Sequence, residues 1–200
     1  MALIKLNNRG VKNVTTFGSI SSLGSLVFLS KQTASSSASI SFTSGIDSTY
    51  KEYIFYFKSI HPQNAVFGFE FNGSTDSGSN YNVTKTTTWF SAYHNENGTS
   101  GTLEYSTSAD LSQSTNFQKL TGTISNDNDQ ACSGYLHLFD PSNASFVKHF
   151  MSNINYAYSG GSENVRVAGY FNTTSAINGV QFKTTTGNID AGDILLYGVN

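Results

Sequence analysis

Hydrophobic and polar residues alternate along most of this chain with a period of two, the repeat that places every second side chain on one face of a β-strand. The rhythm is strongest between Tyr50 and Asn72. Tyr53, Phe55 and Phe57 share one face and Ile54, Tyr56 and Ile60 the other, which predicts a strand covered on both sides. Ala65, Phe67, Phe69 and Phe71 then alternate with Val66, Gly68, Glu70 and Asn72, so one face of this second run is assigned to core and the other to solvent. His61-Pro62-Gln63-Asn64 separates the runs. Pro62 cannot donate to a ladder and Asn64 tolerates turn geometry, so the pair reads as an antiparallel hairpin at the centre of a β-sandwich.

Shorter runs with the same period lie on either side. Leu26 to Lys31 and Ala38 to Phe42 come before; Thr86 to Tyr93, Leu103 to Tyr105, Phe117 to Ile124, Tyr135 to Phe139 and Phe146 to Met151 come after. Val165, Val167, Gly169 and Phe171 share a face, Val180 and Phe182 share the next, and Ile194 to Val199 closes the chain. Turn-forming Ser, Gly, Asn and Asp separate them, and the stretch from Asn72 to Asn80, which lacks any core residue, reads as an exposed loop. The pattern predicts about ten to twelve strands and no amphipathic helix, an all-β antiparallel β-sandwich of jelly-roll type over residues 25–200.

Residues 1–24 break the rhythm. Leu3, Ile4, Leu6, Val11, Val14 and Phe17 are scattered among Lys5, Arg9, Lys12 and several Asn, and the segment runs into the flexible joint from Gly18 to Gly24. It is expected to be an extended arm whose apolar residues dock on another protein surface; the alternative is an edge strand from Val11 to Phe17.

Charge and composition narrow the function classes. A formal net charge of −2 with only 12% charged residues offers no Lys/Arg cluster to neutralise phosphates, so no nucleic-acid partner is expected. The apolar runs fall far short of a bilayer span and the first residues lack the apolar core of a signal peptide, so neither membrane insertion nor export is expected. Cys132 is the only cysteine, which excludes an intramolecular disulfide, and its strand-start position suits a small buried residue.

Candidate chemistry is sparse. Asn126-Asp127-Asn128-Asp129 offers oxygen ligands, but counting from Asp127 the sixth and twelfth positions are Cys132 and Leu138, not the Gly and Glu of a calcium loop. His61, His94, His137 and His149 have no neighbour at metal-ligand spacing. Glu52, Glu70, Glu104, Asp110 and Asp140 could pair in space, yet no nucleophile elbow or phosphate-cradling glycine loop accompanies them. No catalytic residue, metal or cofactor is therefore assigned. Tyr81, Tyr93, Tyr156 and Tyr158 are the candidate exposed contact residues, the last two because Asn155 to Gly161 reads as an Asn/Gly-rich loop suited to glycan or protein contacts.

Three segments carry a resemblance. From Val180 to Val199 the chain has a short aromatic strand, a Gly187-Asn188-Ile189 turn, Gly192, and a last strand ending in Leu196-Tyr197-Gly198. This resembles the terminal pattern of a diffuse group of tailed-phage virion proteins, especially from marine and cyanobacterial phages. Ser44 to Pro62 is similar to a second recurring segment of that group, and Leu3 to Val14 resembles their N-terminal arms. The resemblance implies a non-enzymatic structural protein on the particle exterior, made in the host cytoplasm. It would be a homo-oligomer, with a trimer favoured, whose partners are the major capsid protein or other virion proteins. Without heptads or repeats to build a shaft, a capsid-decorating role is expected ahead of a tail-fibre or receptor-binding module that contacts host glycan.

Overall fold

A computed structural model describes residues 25–65 and 68–200. The six apolar residues of the expected arm, and Val66 and Phe67, lie outside the described residues. Twelve strands and no helix make up the described chain. They are β1 (Leu26–Thr33), β2 (Ile40–Phe42), β3 (Glu52–Pro62), β4 (Phe69–Ser74), β5 (Lys85–Asn95), β6 (Gly101–Tyr105), β7 (Gln118–Lys119), β8 (Cys132–Phe139), β9 (Lys148–Tyr158), β10 (Gly161–Phe171), β11 (Gly179–Thr184) and β12 (Ile189–Val199). All pairings are antiparallel and form two open sheets: eight strands in the order β1-β12-β3-β8-β9-β10-β5-β6, and four in the order β2-β11-β4-β7.

The expected hairpin from Tyr50 to Asn72 does not form. β3 belongs to the large sheet and β4 to the small one, and the chain crosses between the layers after Pro62. Two phenylalanine-rich strands stacked face to face bury both rows against each other, which edge-to-edge pairing would not do: the rings of Phe57 and Phe69 meet edge-on at 5.1 Å. Phe182 on β11 lies 5.2 Å from both Phe55 and Phe57, and Phe71 lies 5.0 Å from Phe150 on β9. Ile60 also departs from expectation. Ser59 has φ 50 and the β3–β8 register shifts between Phe57 and Ile60, so the bulge returns Ile60 to the core side, where it is 1% exposed. Gly192 on β12 faces this bulge at φ 117, and a Cβ there would sit 2.5 Å from the Ser59 carbonyl oxygen, so only glycine fits.

β4 is buried along its whole length, including Glu70 and Asn72, which alternation had assigned to solvent, whereas Ala65 is exposed. The expected strand from Phe117 to Ile124 shrinks to the two residues of β7, and polar side chains replace its ladder. The Phe69 N–H donates to Thr121 Oγ1 at 2.9 Å, and the Asn72 amide donates to the carbonyls of Tyr81 and Thr115. Gln118 accepts from Thr87 Oγ1 and donates to the carbonyls of Ala109 and Lys119. The buried amides of Asn72 and Gln118 are thus partnered, as a dry interior requires. The stretch expected as a loop from Asn72 to Asn80 begins as the end of β4, through Ser74; its turn is tied by Asp76, which accepts from Ser74 Oγ and from both nitrogens of Asn80. Those hydrogen bonds hold the Asp76 carboxyl at about 2. Cys132 is fully buried, as expected, and burial pushes its thiol up to about 12.

Lys85 opens β5 with its side chain in the interior, 0% exposed, donating to the Asn116 carbonyl at 2.5 Å. Burial lowers its ammonium from 10.5 to about 7, opposed by the nearby Glu70 carboxylate. Between about pH 7 and 9.5 the unfolded chain keeps a proton on Lys85 that the folded chain releases. This group's contribution to stability therefore rises with pH through that window, by at most about 1.4 kcal/mol per unit. In urea titrations the wild-type midpoint is expected to climb relative to that of Lys85→Met between about pH 7 and 9.5, and to run parallel to it below. Parallel profiles across the whole range would contradict the buried-lysine account.

Candidate functional site

The small sheet covers one face of the large sheet; the other face carries most of the exposed apolar surface. Alternation builds it: Tyr53, Phe55 and Phe57 point into the core, so Ile54 and Tyr56 must point out, and the antiparallel register lines their partners up across the strands. One row runs Phe28, Tyr197, Ile54, His137, Met151, Ala168. The next runs Leu195, Tyr56, Tyr135, Asn153, Arg166, Phe90, Tyr105. Among the described residues the large exposed apolar or aromatic side chains are Leu26, Phe28, Phe90, Leu103, Tyr105, Met151 and Phe146, and all except Phe146 lie on this face. At about 4.8 Å per strand the face is roughly 34 Å wide, far broader than isolated surface hydrophobics produce.

Aromatic rings connect across the first four strands. Phe28 meets Tyr197 at 5.5 Å, Tyr197 meets Tyr56 at 5.6 Å, Tyr56 meets Tyr135 at 6.4 Å, and Tyr135 meets His137 at 5.0 Å. All four contacts are edge-to-face, the arrangement the ring quadrupoles favour. Where the ladder reaches the middle of the sheet a groove of about 270 Å³ opens, lined by Phe90, Tyr135, His137, Met151, Asn153 and Arg166 among others. His137 Nδ1 is held by the Glu52 carboxylate, which fixes the imidazole and leaves Nε2 at its other end. Asn153 Oδ1 accepts from Asn164 Nδ2 at 2.7 Å, so its own NH₂ remains to donate. Arg166 is exposed and has no ion-pair partner among the described residues.

The four tyrosines singled out from sequence are elsewhere. Tyr156 is a correction: it is 2% exposed on β9, packed in the core, with its hydroxyl donating to the Glu163 carboxylate. Burial raises its phenol well above the usual range, with Glu163 adding to the shift. The loop expected from Asn155 to Gly161 is the end of a β9–β10 hairpin with Ser159 and Gly160 at its tip, so period-two alternation continues through Tyr156 and points it inward. Tyr158 is half-buried and donates to Asn95 Oδ1 at 2.7 Å; it lines a cleft of about 420 Å³ with Trp89, Glu104 and Glu163. Tyr93 is half-buried, its hydroxyl 3.5 Å from Ser100 Oγ. Tyr81 lines a polar cavity of about 510 Å³ beside the small sheet with Glu70, Lys119 and Lys183.

Four of the five carboxylates considered for catalytic pairing are engaged by partners that are not acidic. Glu52 holds His137, Glu70 pairs with Lys183 at 3.3 Å, Asp110 accepts from Tyr105, and Asp140 pairs with Lys51 at 3.0 Å. Among the described residues no group of three His, Cys, Asp or Glu is placed to hold a metal ion. The groove residues were missed because each looked ordinary within its own strand. One local clue existed: adjacent aromatics in a strand must face opposite sides, and of Trp89 and Phe90 the first is 4% and the second 37% exposed.

No protein-family model matches the chain, and neither a curated protein nor a solved structure matches it.

An exposed face of this extent should bind a hydrophobic dye in the native state. ANS fluorescence enhancement is expected with the folded protein and is expected to fall by more than half in Phe28→Ser/Leu103→Ser/Met151→Ser, whose Tm should shift by no more than about 5 °C because all three side chains are exposed. Unchanged enhancement in the triple variant would show that the dye sits elsewhere.

Proposed function

We propose that the chain is a non-enzymatic structural protein of a phage virion, carried on the particle exterior as a decoration protein. In this reading residues 1–24 attach it to the major capsid protein or a neighbouring virion protein, and the outer face of the eight-stranded sheet is its outward binding surface. The jelly-roll topology and a trimeric assembly belong to the same proposal. The observation that supports it is the convergence of exposed apolar and aromatic side chains on one sheet face while the opposite face builds the core. Such a surface is costly in water unless it serves recognition. The resemblance of the segments from Leu3, Ser44 and Val180 to tailed-phage virion proteins supplies the particle context.

A second reading, a receptor-binding module at a fibre tip that contacts host glycan, is favoured by the groove that sets Asn153 and Arg166 among aromatic rings. Both readings use the same outward face and differ in where the chain sits on the particle.

Attachment to particles lacking the protein separates the parts. The full chain and Phe28→Ser/Leu103→Ser/Met151→Ser are expected to bind such particles, whereas a chain beginning at Ser25 is expected to fold with nearly the same Tm and fail to bind. Attachment by the shortened chain, or failure of the full chain to attach, would contradict the proposal.

A further inference from the structure

Resting on the reading of the outer sheet face as the outward binding surface, we propose that its central groove is a site for a carboxylate-bearing saccharide, such as a uronic or sialic acid residue of a surface polysaccharide. Three features of the groove select this ligand class. Tyr135 and Phe90 stand on one register row, separated by Asn153 and Arg166, so two rings flank a polar centre. The apolar face of a pyranose packs on such rings through dispersion and the release of water.

The polar centre is rich in donors. The Arg166 guanidinium presents a planar fork that matches a carboxylate in bidentate geometry, and among the described residues no acidic side chain occupies it. The Asn153 NH₂ lies between Arg166 and Tyr135 in the same row with its oxygen already engaged. Two acidic side chains on this face are already engaged, Glu52 by His137 Nδ1 and Asp110 by the Tyr105 hydroxyl. On a chain whose formal net charge is −2, this is a local cationic site within an aromatic surround, and its complement is an anion attached to a ring with an apolar face. A neutral sugar would leave the guanidinium without a partner; a small inorganic anion would leave the rings uncovered. With a volume of about 270 Å³ the groove accommodates a terminal or single internal residue, and the aromatic ladder from Tyr135 towards Phe28 offers a track for the rest of a chain.

The test uses the full chain and saturation-transfer NMR and calorimetry with three probes, a galacturonate tetrasaccharide, a hyaluronan tetrasaccharide and sialyllactose, each beside its carboxyl methyl ester. At least one acid form is expected to bind at millimolar concentration or better, and its methyl ester at least tenfold more weakly. Arg166→Gln is expected to weaken the acid form at least tenfold while leaving the ester unchanged, and Tyr135→Ala to weaken both. Because Arg166 is exposed, Arg166→Gln should retain the wild-type Tm, so lost binding is not lost folding. Equal binding of acid and ester, or binding indifferent to Arg166→Gln, overturns the inference while leaving particle attachment, and with it the proposed function, intact. Absence of binding by all three acids overturns it too. Sedimentation supplies the remaining alternative: if the wild-type chain self-associates and Met151→Asp releases monomers, a second copy occupies the face and the saccharide site is wrong.

Discussion

The contact on which this structure depends is the closure of two unequal sheets over a phenylalanine cluster centred on Phe182. Its ring, fully buried on β11, meets Phe42 and Phe69 and Phe71 within its own small sheet and Phe55 and Phe57 of the large sheet, all between 5.2 and 6.3 Å. Edge-to-face and stacked geometries coexist there, so the cluster fixes how the layers lie on one another and does more than fill volume. The bulge at Ser59 and the glycine at 192 belong to the same constraint: they let β3 and β12 bend while keeping Ile60 in the core.

Unequal sheets leave unequal faces. The inner face of the large sheet is claimed by the core, and the strands that place Phe55, Leu136, Phe150 and Val167 inward necessarily place Tyr56, His137, Met151 and Arg166 outward. In an antiparallel sheet with one solvated face those positions are ordinarily filled by Thr, Ser, Lys and Glu. Here the chain supplies a connected ring ladder, a clamped imidazole and a guanidinium with no ion-pair partner among the described residues, so the face is specialised at a position where solubility alone would ask for polar residues. The burial of Glu70, Asn72 and Lys85 shows the converse around β4, where a segment with few strands of its own is fastened by side-chain hydrogen bonds.

Much of the fold could be read from alternation, because period two is local: the runs at 26–31, 135–139, 165–171 and 194–199 all fall within strands, and Cys132 is buried as its setting suggested. Layer assignment could not be read. Whether Phe57 and Phe69 sit in one sheet or face each other across two depends on the path after Pro62, and alternation is silent on partners. Buried polar residues misled the reading of β4 and of the Phe117 to Ile124 stretch, since Asn72 and Thr121 look like surface residues until their hydrogen bonds are known. The groove was the least legible part. Tyr135, Asn153, Arg166 and Phe90 are drawn from four strands and become neighbours only through register, whereas Tyr156 stood out locally and proved to be core.

If β3 divides its labour as described, with one face locking the sheets and the other left free for recognition, then two adjacent residues should behave oppositely. Urea unfolding of Phe55→Ala and Tyr56→Ala compares them directly. Phe55 is 0% exposed and touches Phe42 and Phe182, so its truncation should cost about 3–5 kcal/mol, a large share of a typical domain's stability. Tyr56 lies on the outer ladder against Tyr135 and Tyr197, and its truncation should cost about 1–2 kcal/mol. Equal losses, or a greater loss at Tyr56, would contradict the account.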